Sequence, residues 1–430
     1  MRATFYLYLL SFIFSVQLFS QPQRPESLIE QYKVKIEKYL DKEKALSSYY
    51  SFNDEGIYLY ASLADKQNKK PEFKIFWNEL QATKALFYLK SNKEIESILK
   101  VKKETPFSSE LTEEWTNNYG ELPIKKRNLR GVKIAIDAGH LAGDMATAKL
   151  EKKFISMKAN PATGLQHDVE IIEGELTLTT AKLLKQKLEA EGAIVMLTRD
   201  SSNNSAFGKT FENWLTNDFK NSVEASFKSS AITETEKIFL LTKAAKKDIF
   251  RDYFSGLDMR ERANKINLFR PDITVVIHYN VDEKNTGWIK PSVKNYNMVF
   301  TGGSFMKDEL KITESRVQFL RLLITDAIIN SVELSERLIK NFKDNLQVPS
   351  ALPGDADYLN KSCMYTEKPG IYNRNLTLTQ LIHGTTAYCE TLYQDNIKEC
   401  ILLDEKATPE RISQVADAYY KGIKEYFLDR

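Results

Sequence analysis

Residues 131–140 read GVKIAIDAGH, and the remaining segments fall into place on either side of them. Val132, Ile134 and Ile136 give a buried strand that runs directly into Asp137-Ala138-Gly139-His140. In an open α/β sheet the carboxyl ends of the strands face the ligand crevice, so a histidine just past an apolar run, on a glycine-containing turn, points at a site. His140 is therefore the first candidate metal ligand.

Downstream, residues 141–168 read as irregular, rich in Lys, Gly and Ala. A helix opens at Glu173, with Leu178, Ala181, Leu184 and Leu188 on one face, and Gly192 stops it just past its last turn. AIVMLTRD, residues 193–200, is the next strand, closed by Arg199-Asp200. Strand, helix and strand together have the length of a parallel crossover unit. After a helix over 259–268, ended by Arg270-Pro271, comes DITVVIHYN, residues 272–280. Its β-branched run is that of a strand buried on both faces, and it ends in His278. Two strand ends now offer imidazoles. YNMVFTGG (296–303) predicts a further strand and turn, 315–342 one or two helices, and TAYCETLYQ (386–394) a strand carrying Glu390. Thr408-Pro409-Glu410 opens a last helix with an N-cap and a proline at its first position, and Ile412, Val415, Tyr419 and Ile423 lie on its core face. The fold class is α/β.

Residues 201–256 interrupt this rhythm. They are polar and Lys-rich, with Phe207, Phe211, Trp214 and Phe219 and a helix over 234–254, which reads as a mainly helical insertion, either a lid or a surface subdomain. Residues 22–115 read as a helical region of unassigned role. Its helices are predicted over 25–41, from Leu28, Ile29, Tyr32, Ile36 and Leu40, and over 72–90. In the second, Phe73, Phe76, Trp77, Leu80 and Phe87 form an aromatic stripe whose helical spacing marks core rather than a sugar platform. A linker, 116–130, carries the solvated basic run Lys125-Lys126-Arg127.

At the amino terminus TFYLYLLSFIFSVQLF (4–19) follows Arg2 and precedes Ser20-Gln21-Pro22-Gln23. The run is short for a membrane span of about 20 residues and reads as a signal peptide, residues 1–20, with an uncleaved anchor as the competing reading. Cleavage would export the mature chain to the periplasm or cell envelope with no membrane span left in it. No cysteine follows the run, which excludes a lipoprotein anchor there.

The chain has 430 residues and a net charge of +3, which leaves room for two domains and gives no sign of a nucleic-acid binder. Three cysteines, Cys363, Cys389 and Cys400, are no disulfide scaffold, though one bridge is permitted after export. Only four histidines occur, and His167 and His383 read as structural or surface residues.

A catalytic zinc takes three protein ligands, often two His and one carboxylate, with a fourth position open to water. His140, His278 and an acid at the start of the crossover helix supply that set. Glu173 is preferred to Glu175, because the opening residue of the helix can turn back over the strand ends while Glu175 lies about half a turn further round. A second carboxylate is then needed to take the proton of the attacking water and pass it to the departing amine. Glu390, an acid inside an apolar and aromatic strand, is assigned that role, against the alternative of an ion pair with Arg262 or Arg199.

These residues resemble the zinc-dependent N-acetylmuramoyl-L-alanine amidases of the third amidase family. The likeness rests on four stretches in order: IAIDAGH (134–140), EGELTLTTAKLL (173–184) with VMLTRD (195–200), RANKINLFRPDITVVIHYN (262–280) and YCETLYQDN (388–396). It implies a mostly parallel twisted sheet flanked by helices over residues 131–430. It further implies Zn2+ on His140, Glu173 and His278, Glu390 as catalytic acid/base, and a structural or positioning role for Arg262. The implied substrate is the amide bond between N-acetylmuramic acid and L-alanine in peptidoglycan. Since some members are restrained by an inserted helix, a protein activator acting on 201–256 is a further expectation. The sequence departs from the family at Leu141-Ala142-Gly143-Asp144 and at Tyr279. Two rival readings are a non-catalytic wall-binding protein on the same fold and a zinc peptidase of the stem peptide.

Overall fold

A computed structural model of the chain describes residues 25–102, 105–108, 110–114, 128–404 and 410–428. The signal segment, most of the linker and the Thr408-Pro409 helix opening lie outside them. The amino-terminal part begins with the helix Pro25–Lys35, which continues as a wider turn over Ile36–Leu40. Three short strands follow, β1 (Tyr50–Phe52), β2 (Gly56–Leu59) and β3 (Phe73–Phe76), paired antiparallel in the order β1-β2-β3. The helix expected over 72–90 is thus corrected: it spans only Leu80–Leu89. Phe73 and Ile75 point inward with a period of two, and this stretch suits a strand as well as a helix until its partner β2 is present.

The main sheet consists of seven strands. In chain order they are β4 (Lys133–Ala138), β7 (Ile194–Leu197), β8 (Ile273–Asn280), β9 (Met298–Thr301), β10 (Cys363–Tyr365), β11 (Ile371–Arg374) and β12 (Thr386–Tyr393). The spatial order is β10-β11-β9-β12-β8-β4-β7. From β12 to β7 every pair is parallel, whereas β9 pairs antiparallel with β12 and β10 antiparallel with β11. Side chains of β4 and β8 alternate between two helical layers. Ile134, Ile136, Val275 and Ile277 meet the helices Glu173–Ala190, Ala327–Leu346 and Glu410–Leu428, while Ala135 and Val276 meet Ser255–Phe269 and Thr377–Leu381. Burial on both faces explains the unbroken apolar run of β8.

Two further segments differ from expectation. Residues 141–168 are not irregular: they hold a helix, Met145–Glu151, and the first strand of the hairpin β5 (Phe154–Met157) and β6 (Val169–Ile172). Elements this short fall below the window in which periodicity can be read. The helix Met145–Glu151 depends instead on its cap, Asp144 Oδ1 accepting from Thr147 N at 2.8 Å. The helix expected over 234–254 is interrupted after Glu234–Thr242 and resumes at Lys246–Asp248. From there a wide turn, Ile249–Phe254, leads straight into Ser255–Phe269. All three cysteines are free and buried. No helix among the described residues is long and apolar enough to cross a membrane.

Candidate metal centre

β4 ends at Ala138, and the chain turns at Gly139 so that His140 takes a left-handed conformation with φ +57°. A non-glycine residue rarely adopts this backbone, and such outliers cluster at functional sites. Two arginines hold the turn. Arg262 donates to the carbonyls of Ala138 (2.8 Å) and His140 (3.0 Å) and pairs with Asp258 and Asp137, while Arg199 donates to the carbonyls of Ala138, Gly139 and Gly174. Neither guanidinium pairs with Glu390.

His278 belongs to the neighbouring strand β8, one residue beyond the Ala138↔Ile277 pair, and its ring stands edge-on to that of His140 with centroids 4.7 Å apart. The His278 ring is also stacked on Tyr388, with centroids 4.5 Å apart. Glu173, fully buried at the start of its helix, reaches between the two histidines. Its Oε1 lies 3.3 Å from His140 Nε2 and 3.2 Å from His278 Nδ1. The carboxylate is oriented by Tyr279 N on Oε1 (3.2 Å) and Gln394 Nε2 on Oε2 (3.0 Å). Glu175 instead turns toward Gly143. Ligand atoms of His140, Glu173 and His278 all lie within 4.8 Å of one another.

This donor set fits zinc. Two ligands of one tetrahedral zinc, each at 2.0–2.1 Å, stand about 3.3 Å apart. His140 Nε2 is buried without a hydrogen-bond partner, an arrangement that is costly unless something else binds there. The charges agree. Burial opposes a positive His140 ring, but Glu173, together with Glu151, outweighs it and raises its affinity for a proton, as it would for any cation. Burial pushes His278 down to about 4, leaving a neutral ring. Against its own burial, Glu173 is held well below the usual carboxylate range by His140 and Lys153, whose ammonium lies 3.8 Å from Oε2.

Glu390 reaches the same place by register. In the parallel β8–β12 pair it stands directly beside His278, so both side chains leave the same face of the sheet. Burial and the charge of Glu173 push its carboxyl up to about 7, against the opposing pull of Lys153, His140 and Arg374. Such a group exchanges protons near neutrality.

Glu151 and Lys153 belong to no motif in the sequence; the helix Met145–Glu151 and its exit deliver them to the site. Of the other histidines, His167 pairs at the surface with Asp404 (2.9 Å), and His383 is buried at the opposite, amino-terminal end of β12.

The sequence profile of N-acetylmuramoyl-L-alanine amidases matches residues 134–425, an interval that contains every residue of this cluster. The chain belongs to that amidase family. Among solved structures it is similar to the CwlD amidase of Clostridioides difficile in complex with the GerS lipoprotein, at 16% identity and TM-score 0.38 over 70% of this chain and 100% of that one. It is also similar to the amidase Ami1 of Mycobacterium smegmatis, at 15% identity and TM-score 0.39 over 70% and 100%. A third is the catalytic domain of CwlV from Bacillus (Paenibacillus) polymyxa var. colistinus, at 14% identity and TM-score 0.35 over 69% and 97%. No curated protein sequence matches the chain. Membership rests on the match over residues 134–425.

Proposed function

We propose that this amidase is an exported zinc hydrolase that cleaves the amide bond between the lactyl group of N-acetylmuramic acid and L-alanine in peptidoglycan. One observation carries the reading: three ligand atoms of His140, Glu173 and His278 converge within 4.8 Å, and Glu390 is registered beside His278. His140, Glu173 and His278 would hold the metal. Zinc bound there supplies Lewis acidity toward the scissile carbonyl and the attacking water. Glu390 does the proton work. Its carboxylate takes the proton of the attacking water as the C–O bond forms, then returns it to the L-alanine nitrogen as the C–N bond breaks. A carboxyl pushed up to about 7 is suited to both halves of that cycle. Arg262 and Arg199 act on position alone, holding the carbonyls of the β4 turn so that His140 keeps its left-handed backbone. The apolar run 4–19 supports export, which agrees with a wall substrate.

Mass spectrometry of peptidoglycan fragments after incubation with the mature protein tests this. Free stem peptides beginning at L-alanine are expected, and they should disappear with a chelator and fall by about 10²–10⁴-fold in Glu390→Ala, the usual contribution of a general acid–base group. Cleavage within the stem peptide, or intact fragments from a zinc-loaded protein, would overturn it.

A further inference from the structure

Glu151 lies outside every stretch that carries the family resemblance. It closes the helix Met145–Glu151, inside the long segment between His140 and Glu173, and its side chain is only 8% exposed. All its acceptor capacity is spent on the His140 turn. Oε1 lies 3.1 Å from His140 Nδ1 and 3.2 Å from Leu141 N, and Oε2 accepts from Leu141 N at 3.3 Å and Ala142 N at 3.1 Å.

Resting on the zinc reading above, we propose that Glu151 is a positioning residue of the metal centre, acting through His140. It fixes both the orientation and the tautomer of His140. A carboxylate facing Nδ1 requires that nitrogen to carry the proton, which leaves Nε2, the buried atom without a hydrogen-bond partner, as the lone pair facing Glu173. The two backbone bonds matter equally, because they hold the left-handed turn from the side opposite Arg262, which grips the His140 carbonyl. One carboxylate thus ties ring and backbone together. Partners of this kind on a ligating histidine commonly change metal affinity by about 10–100-fold when removed.

The helix that brings Glu151 is itself braced by the insertion. Leu141 and Leu150 flank the His140–Glu151 contact and pack into the aromatic cluster of Phe211, Trp214, Phe250 and Phe254. The inserted helices therefore pack against the two residues that flank the contact.

The test is zinc affinity of the full mature chain, stripped and titrated with Zn2+ against a competing chromogenic chelator, with the apo Tm measured beside it. Glu151→Ala is expected to raise the zinc Kd by about 10–100-fold. Glu151→Gln, which keeps one acceptor for Nδ1–H and the same shape, should lie between Ala and the parent and serves if the Ala variant does not fold. Affinities of both variants within twofold of the parent would overturn the assignment and leave the zinc reading standing. A parent that takes up no zinc would overturn both. A purely structural Glu151 would lower the apo Tm of the Gln variant without moving the Kd of its folded fraction, and that result also overturns the assignment.

Discussion

Gly139 has no room for a side chain. A Cβ there would stand 2.3 Å from the Cε1 and 2.4 Å from the Nε2 of His278, whose ring is already backed by Tyr388. Gly139→Ala is therefore expected to displace the ring and weaken zinc binding by at least about tenfold, the scale of a lost orienting partner. Chelator competition on the purified variant measures this, and an unchanged zinc Kd would refute it. At this scale much of the candidate cluster is legible in the sequence. His140 and His278 each follow an apolar strand, Glu173 opens a helix, and Glu390 is an acid in an apolar run, so each is announced by its neighbours. Glu151 had no such announcement. Its helix has seven residues, and its value lies in three contacts with a turn ten residues back that only the folded chain brings close.

Elements differ in how well a sequence reveals them for the same reason. β8 and β4 are buried on both faces and show as continuous apolar runs, but the hairpin β5–β6 and the strands β1–β3 are defined by their partners. One contact between elements carries a pH signature. His383, in the lead-in to β12, is buried and donates from Nε2 to Asn92 Oδ1 (2.8 Å) at the start of the helix Asn92–Lys102. Burial, with the charge of Arg321, pushes its ring down to about 3 from an ordinary 6.5. Between those two values the unfolded chain binds a proton that the folded chain refuses, so stability rises with pH across this window and is lost as the pH falls from about 6.5 to 3. The full gap corresponds to roughly 4–5 kcal/mol. Urea melts at pH 7, 5 and 4 should show His383→Gln losing less stability on acidification than the parent. Parallel losses in the two proteins would remove His383 as the cause.

Across the whole molecule, the amino-terminal part and the amidase fold share one hydrophobic core. Tyr32, Leu40, Ile57, Phe73, Leu86 and Leu99 form a single cluster with Phe305, Phe319, Leu320, Leu323 and Ile328, although the family match begins only at residue 134. The helix Thr313–Ile324 shows the consequence, since every residue from Ser315 to Ile324 is buried, including Arg321. Arg321 finds its partners in Gln318 Oε1 and in the carbonyls of His383 and Gln380. In sequence, residues 22–115 read as a helical region followed by a linker, and a chain read in order does not show that a distant helix lacks a solvent face. Each large apolar side chain returned to water costs about 1.5–3 kcal/mol, and four or five of them equal the whole stability of an ordinary domain, about 5–15 kcal/mol. A chain beginning at residue 128 should therefore be insoluble or molten even though it retains every residue of the candidate metal cluster. In contrast, Phe319→Ala in the full chain should fold with a stability loss of about 3–5 kcal/mol. Size-exclusion chromatography and thermal melts of the truncated chain decide the matter. If the truncation is monomeric and melts cooperatively at the parental Tm, the shared core is not needed for the amidase fold to stand.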